Sequence, residues 1–232
     1  MKLVLFDLDD TLFDFSRTWD IVLKRMFAEH TVTRVYETEA FFEAFQRKSD
    51  ELYALYEQRI CTIEEYRCRR LIETLKDYGC EMSTSQAMAF NLEFVRQYLD
   101  SLEPDKKVQD LLHKLEESYL LGIITNGPHD MQEAKLEKLG LKRFFQADRV
   151  WISNAVGVAK PDPRIYQMAL DHFGVSPEDA LFVGDSWPAD VAGPIRIGMQ
   201  AVWLNKYGKE PGRNAVPRAI IKELHELIDL LS

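Results

Sequence analysis

Short, unbroken apolar runs constrain this chain more than any other feature. Leu3–Phe6, Tyr119–Thr125, Ala180–Val183 and Ala201–Leu204 lack the alternation of a half-exposed strand, and Arg149–Ile152 is a weaker run of the same kind. Such runs suit parallel strands covered by helices on both faces. Between the later runs lie segments of helical period. Met131, Ala134, Leu136 and Leu139 share one face and stop at Gly140, and Ile165, Met168, Ala169 and Phe173 repeat the pattern up to Gly174. Glycine just past the last periodic residue is a helix stop. The alternation over residues 105–205 predicts an α/β fold with a doubly wound, Rossmann-like parallel sheet. Ala219–Leu231 reads as a closing amphipathic helix.

Residues 14–100 break that rhythm. They contain Gly79 and no proline, and show amphipathic windows instead of strands, such as Leu52, Leu55 and Tyr56, then Ile63, Tyr66, Leu71, Ile72 and Leu75. A helical insertion after the first strand follows, with 1–13 plus 101–232 forming the sheet domain. At 232 residues, 46% hydrophobic and 29% charged, the chain is long and apolar enough to bury a core without staples. The net charge of −9 argues against a nucleic-acid polymer or an anionic membrane as partner. No run approaches a membrane span. Cys61, Cys68 and Cys80 form no metal or disulfide pattern and read as reduced thiols, which suggests a cytoplasmic protein.

Chemistry gathers at the ends of the apolar runs. The first run passes into Asp7-Leu8-Asp9-Asp10-Thr11, with two carboxylates spaced to lie on the same side of the chain. Alone, this string also describes a turn or a helix cap. Its position at the end of a buried strand, where open α/β sheets bind ligands, favours a site. The second run ends in Thr125-Asn126-Gly127, a hydroxyl and backbone N–H groups fit to hold an oxyanion. Lys160 precedes Pro161-Asp162-Pro163, a turn able to hold an ammonium where negative charge develops. Ala180–Val183 opens into Gly184-Asp185, with Asp190 five residues on. Carboxylates brought together this way repel unless a cation joins them, and an all-oxygen set without His or Cys suits Mg2+.

In order and spacing, Asp7-x-Asp9-x-Thr11, Thr125, Lys160 and Gly184-Asp185 through Asp190 resemble the haloacid dehalogenase-like hydrolase superfamily, in the class whose helical cap follows the first strand. Ile124–Gly127, Gln132, Lys135-Leu136, Val156–Pro161 and Trp203–Asn205 look like its nucleoside-5′-monophosphate phosphatase branch. The resemblance implies a Mg2+-dependent phosphomonoester hydrolase acting on a small molecule, as a monomer or homodimer. It implies Asp7 as the nucleophile that becomes an aspartyl phosphate, and Asp9 as acid and then base. Thr125, Asn126, Gly127 and Lys160 would bind phosphoryl oxygens. Asp7, Asp185, Asp190 and the backbone carbonyl of Asp9 would serve the metal.

Other readings are a phosphoglycolate or sugar-phosphate phosphatase, a haloacid dehalogenase, or a non-catalytic binding protein on the same fold. Dehalogenases lack a second acid at the position of Asp9, and a binding protein would be expected to have lost one of these residues. Substrate choice would fall to the cap and its border. Among Phe13, Phe15, Trp19, Tyr36, Tyr53 and Tyr56, most suit a core role, while Phe13 and Phe15 directly follow the acidic loop and could face a base.

Overall fold

The computed structural model describes residues 1–58 and 60–231, and these form two compact units, 1–15 with 102–232 and 16–101. The first is built on β1 (Leu3–Phe6), every residue of which is buried, as a continuous apolar run demands. The elements α1 to α4 lie between β1 and the rest of the sheet. Then come α5 (Lys106–Glu116), β2 (Leu120–Thr125), α6 (His129–Lys138), β3 (Val150–Ile152), α7 (Ser153–Val156), α8 (Pro163–Phe173), β4 (Ala180–Gly184), α9 (Gly193–Arg196), β5 (Gln200–Leu204), β6 (Ala219–Ile221) and α10 (Leu227–Leu231).

The strands form one parallel sheet in the order β3-β2-β1-β4-β5-β6. This is the doubly wound arrangement expected from the alternating runs. Strand order reverses between β1 and β4. The connections leaving these neighbours diverge, and the divergence opens a crevice beyond their C-terminal ends.

Two readings of the sequence change. Ala219–Leu231 is not one helix. Its first three residues pair with β5 as the edge strand β6, and helix returns as a 3-10 turn at Leu224–Glu226 that leads into Leu227–Leu231. The β-branched pair Ile220-Ile221 suits an extended edge better than a helix start. In α8 the buried stripe is Ile165, Tyr166, Ala169 and Leu170, while Met168 is 39% exposed. The helix packs through adjacent pairs one turn apart, and Met168 falls beside that stripe.

The second unit consists of α1 (Phe15–Glu29, whose first residue belongs to the sheet unit), α2 (Thr38–Glu57), α3 (Ile63–Asp77) and α4 (Thr84–Asp100). Reciprocal capping boxes, Thr62 with Glu65 and Ser83 with Gln86, start α3 and α4 by satisfying backbone N–H groups that would lack partners. Its core is aromatic. The Phe27 ring lies 4.9, 5.2 and 5.8 Å from those of Phe41, Phe45 and Phe90. Among the described residues no helix is long and apolar enough to cross a membrane.

Candidate active site

Asp7 is the first residue beyond β1, and its N–H still donates to the Val183 carbonyl at 2.9 Å. The sheet ladder therefore fixes its backbone. Asp185 is the first residue beyond β4, and the register that pairs Phe6 with Val183 brings Asp7 level with Gly184, one residue before Asp185. Asp190 comes from a single π-helical turn, Trp187–Ala192, a distortion frequent at functional sites. Its carboxylate is fully buried and accepts from the Ser186 N–H at 2.9 Å. The Trp203 indole N–H donates to the Asp185 carbonyl at 2.8 Å, anchoring that strand end. Oxygens of Asp7, Asp185 and Asp190 lie within 4.8 Å of one another.

Lys160 reaches the same place from the loop before α8. Its side chain is 2% exposed, and Nζ donates to Asp7 Oδ1 and Asp190 Oδ1, each at 2.7 Å. Gly184 is glycine for a related reason. A side chain there would run into the Asp190 carboxyl group, so the close approach of Asp190 requires glycine at this position.

Burial dominates the electrostatics. It pushes the Asp7 carboxyl up to about 8, with the Lys160 ammonium opposing and Asp190 adding to the rise. It pushes Asp185 up to about 6, reinforced by the charges of Asp190 and Asp10. Burial also disfavours the Lys160 ammonium, but Asp190 and Asp7 outweigh it and hold the lysine above its usual range. With all three carboxyls ionised, one ammonium leaves two negative charges, the charge of one divalent cation, and burial of that excess is what raises Asp7 and Asp185. An all-oxygen donor set of this kind fits Mg2+. The geometry can thus hold a hard cation beside a carboxylate and an ammonium, as displacement at an anionic centre requires.

Asp9 stands apart from this cluster. Asp10 takes a left-handed backbone conformation, φ +58°, which Asp tolerates better than most residues, and the chain turns back with the Leu12 N–H donating to the Leu8 carbonyl at 3.0 Å. The Asp9 carboxylate meets α6 instead. Lys135 Nζ lies 2.8 and 2.9 Å from its two oxygens, and Gln132 Nε2 lies 3.0 Å from Oδ2. The same Gln132 nitrogen donates to Thr125 Oγ1 at 2.7 Å. The Asp9 side chain, expected to serve the metal site, is thus engaged by α6 and lies outside the acidic cluster.

The remaining expected residues sit nearby with definite partners. Thr125 is fully buried at the end of β2. The Asn126 side chain clasps the Lys160 backbone, donating to its carbonyl and accepting from its N–H, each at 2.9 Å. The Gly127 N–H donates to Ser153 Oγ at 3.3 Å. Asn126 thus positions the Lys160 loop, and the Gly127 amide is turned to α7. Phe13 pairs by a single bridge with Asp9 and lines a cavity of about 440 Å³ with Thr11, Leu12, Asp14 and residues of α5. That cavity and another of about 580 Å³ near β3 include none of the clustered carboxylates. Asp185 and Asp10 instead line a much smaller concavity.

Sequence reasoning took Gln132 and Lys135 only as marks of resemblance, and left Asp10 out of the site. A detectable signal existed for the first two. They lie three residues apart, among Met131, Leu136 and Leu139, on a helix directly after a buried strand. Polar residues on a face that should be apolar need a buried partner.

A family model described as hydrolase, haloacid dehalogenase-like hydrolase, matches residues 1–198. The pyrimidine 5′-nucleotidase YjjG of Escherichia coli is 31% identical over 230 residues, covering 98% of this chain and 96% of that protein. A glyceraldehyde 3-phosphate phosphatase of Pyrococcus furiosus is 32% identical over 236 residues, covering 100% and 93%. The HAD-hydrolase YfnB of Bacillus subtilis, solved with magnesium bound, matches with a TM-score of 0.81 at 25% identity, covering 100% of this chain and 98% of that one.

Proposed function

The chain belongs to the haloacid dehalogenase-like hydrolase family and is a phosphatase, and we propose that it hydrolyses nucleoside 5′-monophosphates with Mg2+ through an aspartyl phosphate on Asp7. One observation carries the reading. Asp7, Asp185 and Asp190 converge within 4.8 Å, with Lys160 bonded to two of them, so one ammonium faces three carboxyl groups.

In this mechanism an Asp7 oxygen attacks phosphorus as the P–O bond to the alcohol breaks, splitting one displacement into two. Asp9 gives the departing oxygen a proton, then takes one from the water that attacks the aspartyl phosphate. The Thr125 hydroxyl and Lys160 ammonium hold phosphoryl oxygens, and Lys160 shields Asp7 from the charge of its substrate. Asp7 and Asp185 would hold Mg2+, with Asp190 orienting the ion's surroundings and Lys160. Bound there, Mg2+ would neutralise the charge between a carboxylate nucleophile and a dianion. The magnesium bound to the similar YfnB supports this choice of ion. The helical unit would act as the cap that selects substrates.

The similar pyrimidine 5′-nucleotidase supports a nucleotide substrate. A triose-phosphate phosphatase of nearly equal identity keeps a small sugar phosphate as the second reading. A phosphate-release screen with Mg2+ over nucleoside monophosphates, triose phosphates, phosphoglycolate and hexose phosphates separates them, with Asp7→Asn as the inactive control. Pyrimidine nucleotides should give the highest kcat/KM. Equal or faster turnover of the sugar phosphates would remove the nucleotide assignment, and an active Asp7→Asn protein would remove the nucleophile.

A further inference from the structure

Gln132 and Lys135 project from α6 at a spacing that places both on one face, and both are almost wholly buried, 0% and 2% exposed. Together they make three contacts of 2.8 to 3.0 Å with the two oxygens of Asp9. Lys135 Nζ also lies 4.4 Å from the centroid of the Phe15 ring, so apolar surface packs against its charge. A Cβ on Gly127 would come 2.7 Å from Gln132 Nε2. The close approach of the Gly127 backbone leaves no room there for a side chain beside the Gln132 amide.

The carboxylate fixes the orientation of that amide. With its oxygen turned to Asp9, Gln132 would set two acceptors against each other, so Nε2 must face both Asp9 and Thr125. Thr125 Oγ1 then accepts from Gln132 and keeps its own proton for another acceptor. Gln132 Oε1 is left buried without a hydrogen-bond partner, a cost that makes sense if the donor end of the amide is what the site needs.

We propose that Gln132 and Lys135 are positioning residues for the acid–base group. They fix the direction of the Asp9 carboxyl group beside Thr125, and Gln132 leaves the Thr125 hydroxyl proton free for a phosphoryl oxygen. The inference rests on the role given to Asp9 above. Proton transfer depends first on geometry, and a displacement of about 1 Å can cost on the order of 100-fold in rate.

Leaving groups provide the test. p-Nitrophenolate departs without a proton, whereas the alkoxide of an alkyl phosphate needs one, and kcat/KM counts only the steps up to that departure. In Lys135→Met, kcat/KM for the best alkyl phosphate of the screen should fall roughly 30-fold or more, and for p-nitrophenyl phosphate less than about threefold. In an Asp9→Asn background, Lys135→Met should add almost nothing. Gln132→Leu should repeat the contrast, and it serves as the probe if Lys135→Met does not fold, as judged by thermal melting. Equal losses on both substrates, or full additivity with Asp9→Asn, would overturn the proposal. If the wild-type enzyme hydrolyses neither substrate, the phosphatase reading fails and this inference falls with it.

Discussion

Both units of the molecule bury positive charge, and they treat it in opposite ways. In the sheet unit, Lys160 is bonded to the carboxylates of Asp7 and Asp190. In the helical unit, Arg70 is 5% exposed and faces aromatic rings, its guanidinium 4.8, 5.1 and 5.4 Å from the centroids of Phe45, Tyr66 and Trp19. Its Nε has no hydrogen-bond partner. The electrostatic outcomes diverge accordingly. Burial lowers the proton affinity of Arg70, whereas two carboxylates raise that of Lys160 in spite of burial. Ring faces offset part of the cost of burying a cation, but they do not depend on its charge as a carboxylate does. The lesson concerns where function sits. Lys160 belongs to a set of charges left unbalanced by two negative units, which a cation can complete. Arg70 belongs to a packed aromatic core.

The contrast breaks most severely at Lys160. Lys160→Met strands Asp7 and Asp190 in a buried site, and losing one partner of a buried pair costs about 3–5 kcal/mol. Urea unfolding at pH 8 without metal should show a loss of that order, with phosphatase activity lost as well. A loss below about 1 kcal/mol would mean that the carboxylates are not charged when Lys160 is present.

Gly184→Ala should be the next largest. The new methyl must displace the Asp190 carboxyl group, and overpacking of this type costs about 1–3 kcal/mol. Because Asp190 also positions Lys160, activity should fall more steeply than stability. Comparison of kcat with the thermal midpoint checks the difference.

The unbalanced negative charge also has a pH signature. Asp7, held at about 8, and Asp185, at about 6, keep protons in the folded chain that unfolded carboxyls have lost above about pH 4. The folded state therefore binds more protons than the unfolded one, and stability falls as pH rises. In EDTA the thermal midpoint should drop between pH 5 and 8, and saturating Mg2+ should reduce the drop, because the ion competes with those protons. A midpoint that rises over this range in EDTA would contradict the raised carboxyls.

The sequence made the parts of the molecule with one-dimensional signatures legible. β1, β4 and β5 are buried on both faces, so their apolar runs mark them directly, and Asp7 and Asp185 are conspicuous because each interrupts such a run. β6 was missed because an edge strand of three residues leaves too short a pattern, and the apolar residues after it continue at helical period. Asp9 was recognised, but its neighbours Gln132 and Lys135 are brought to it by the packing of α6 near the exit from β1, a relation between residues 123 and 126 positions apart. Asn126 illustrates the same limit. Its position at a strand end could be read, whereas the target of its amide, the Lys160 backbone, depends on which loop packs beside it.

Arg70→Met should have the smallest effect, and that smallness is the point of the comparison. The substitution removes the favourable contact of a cation with three rings, worth roughly 2 kcal/mol when desolvated. It also removes the cost of burying that cation, including its unpaired Nε–H. No acidic side chain among the described residues forms an ion pair with it, so none is stranded. The two changes oppose each other, and the unfolding free energy should move by less than about 1.5 kcal/mol in either direction. If Arg70→Met instead matches Lys160→Met, the aromatic faces are holding the charge as firmly as carboxylates do, and the distinction between a balanced core and an unbalanced site disappears.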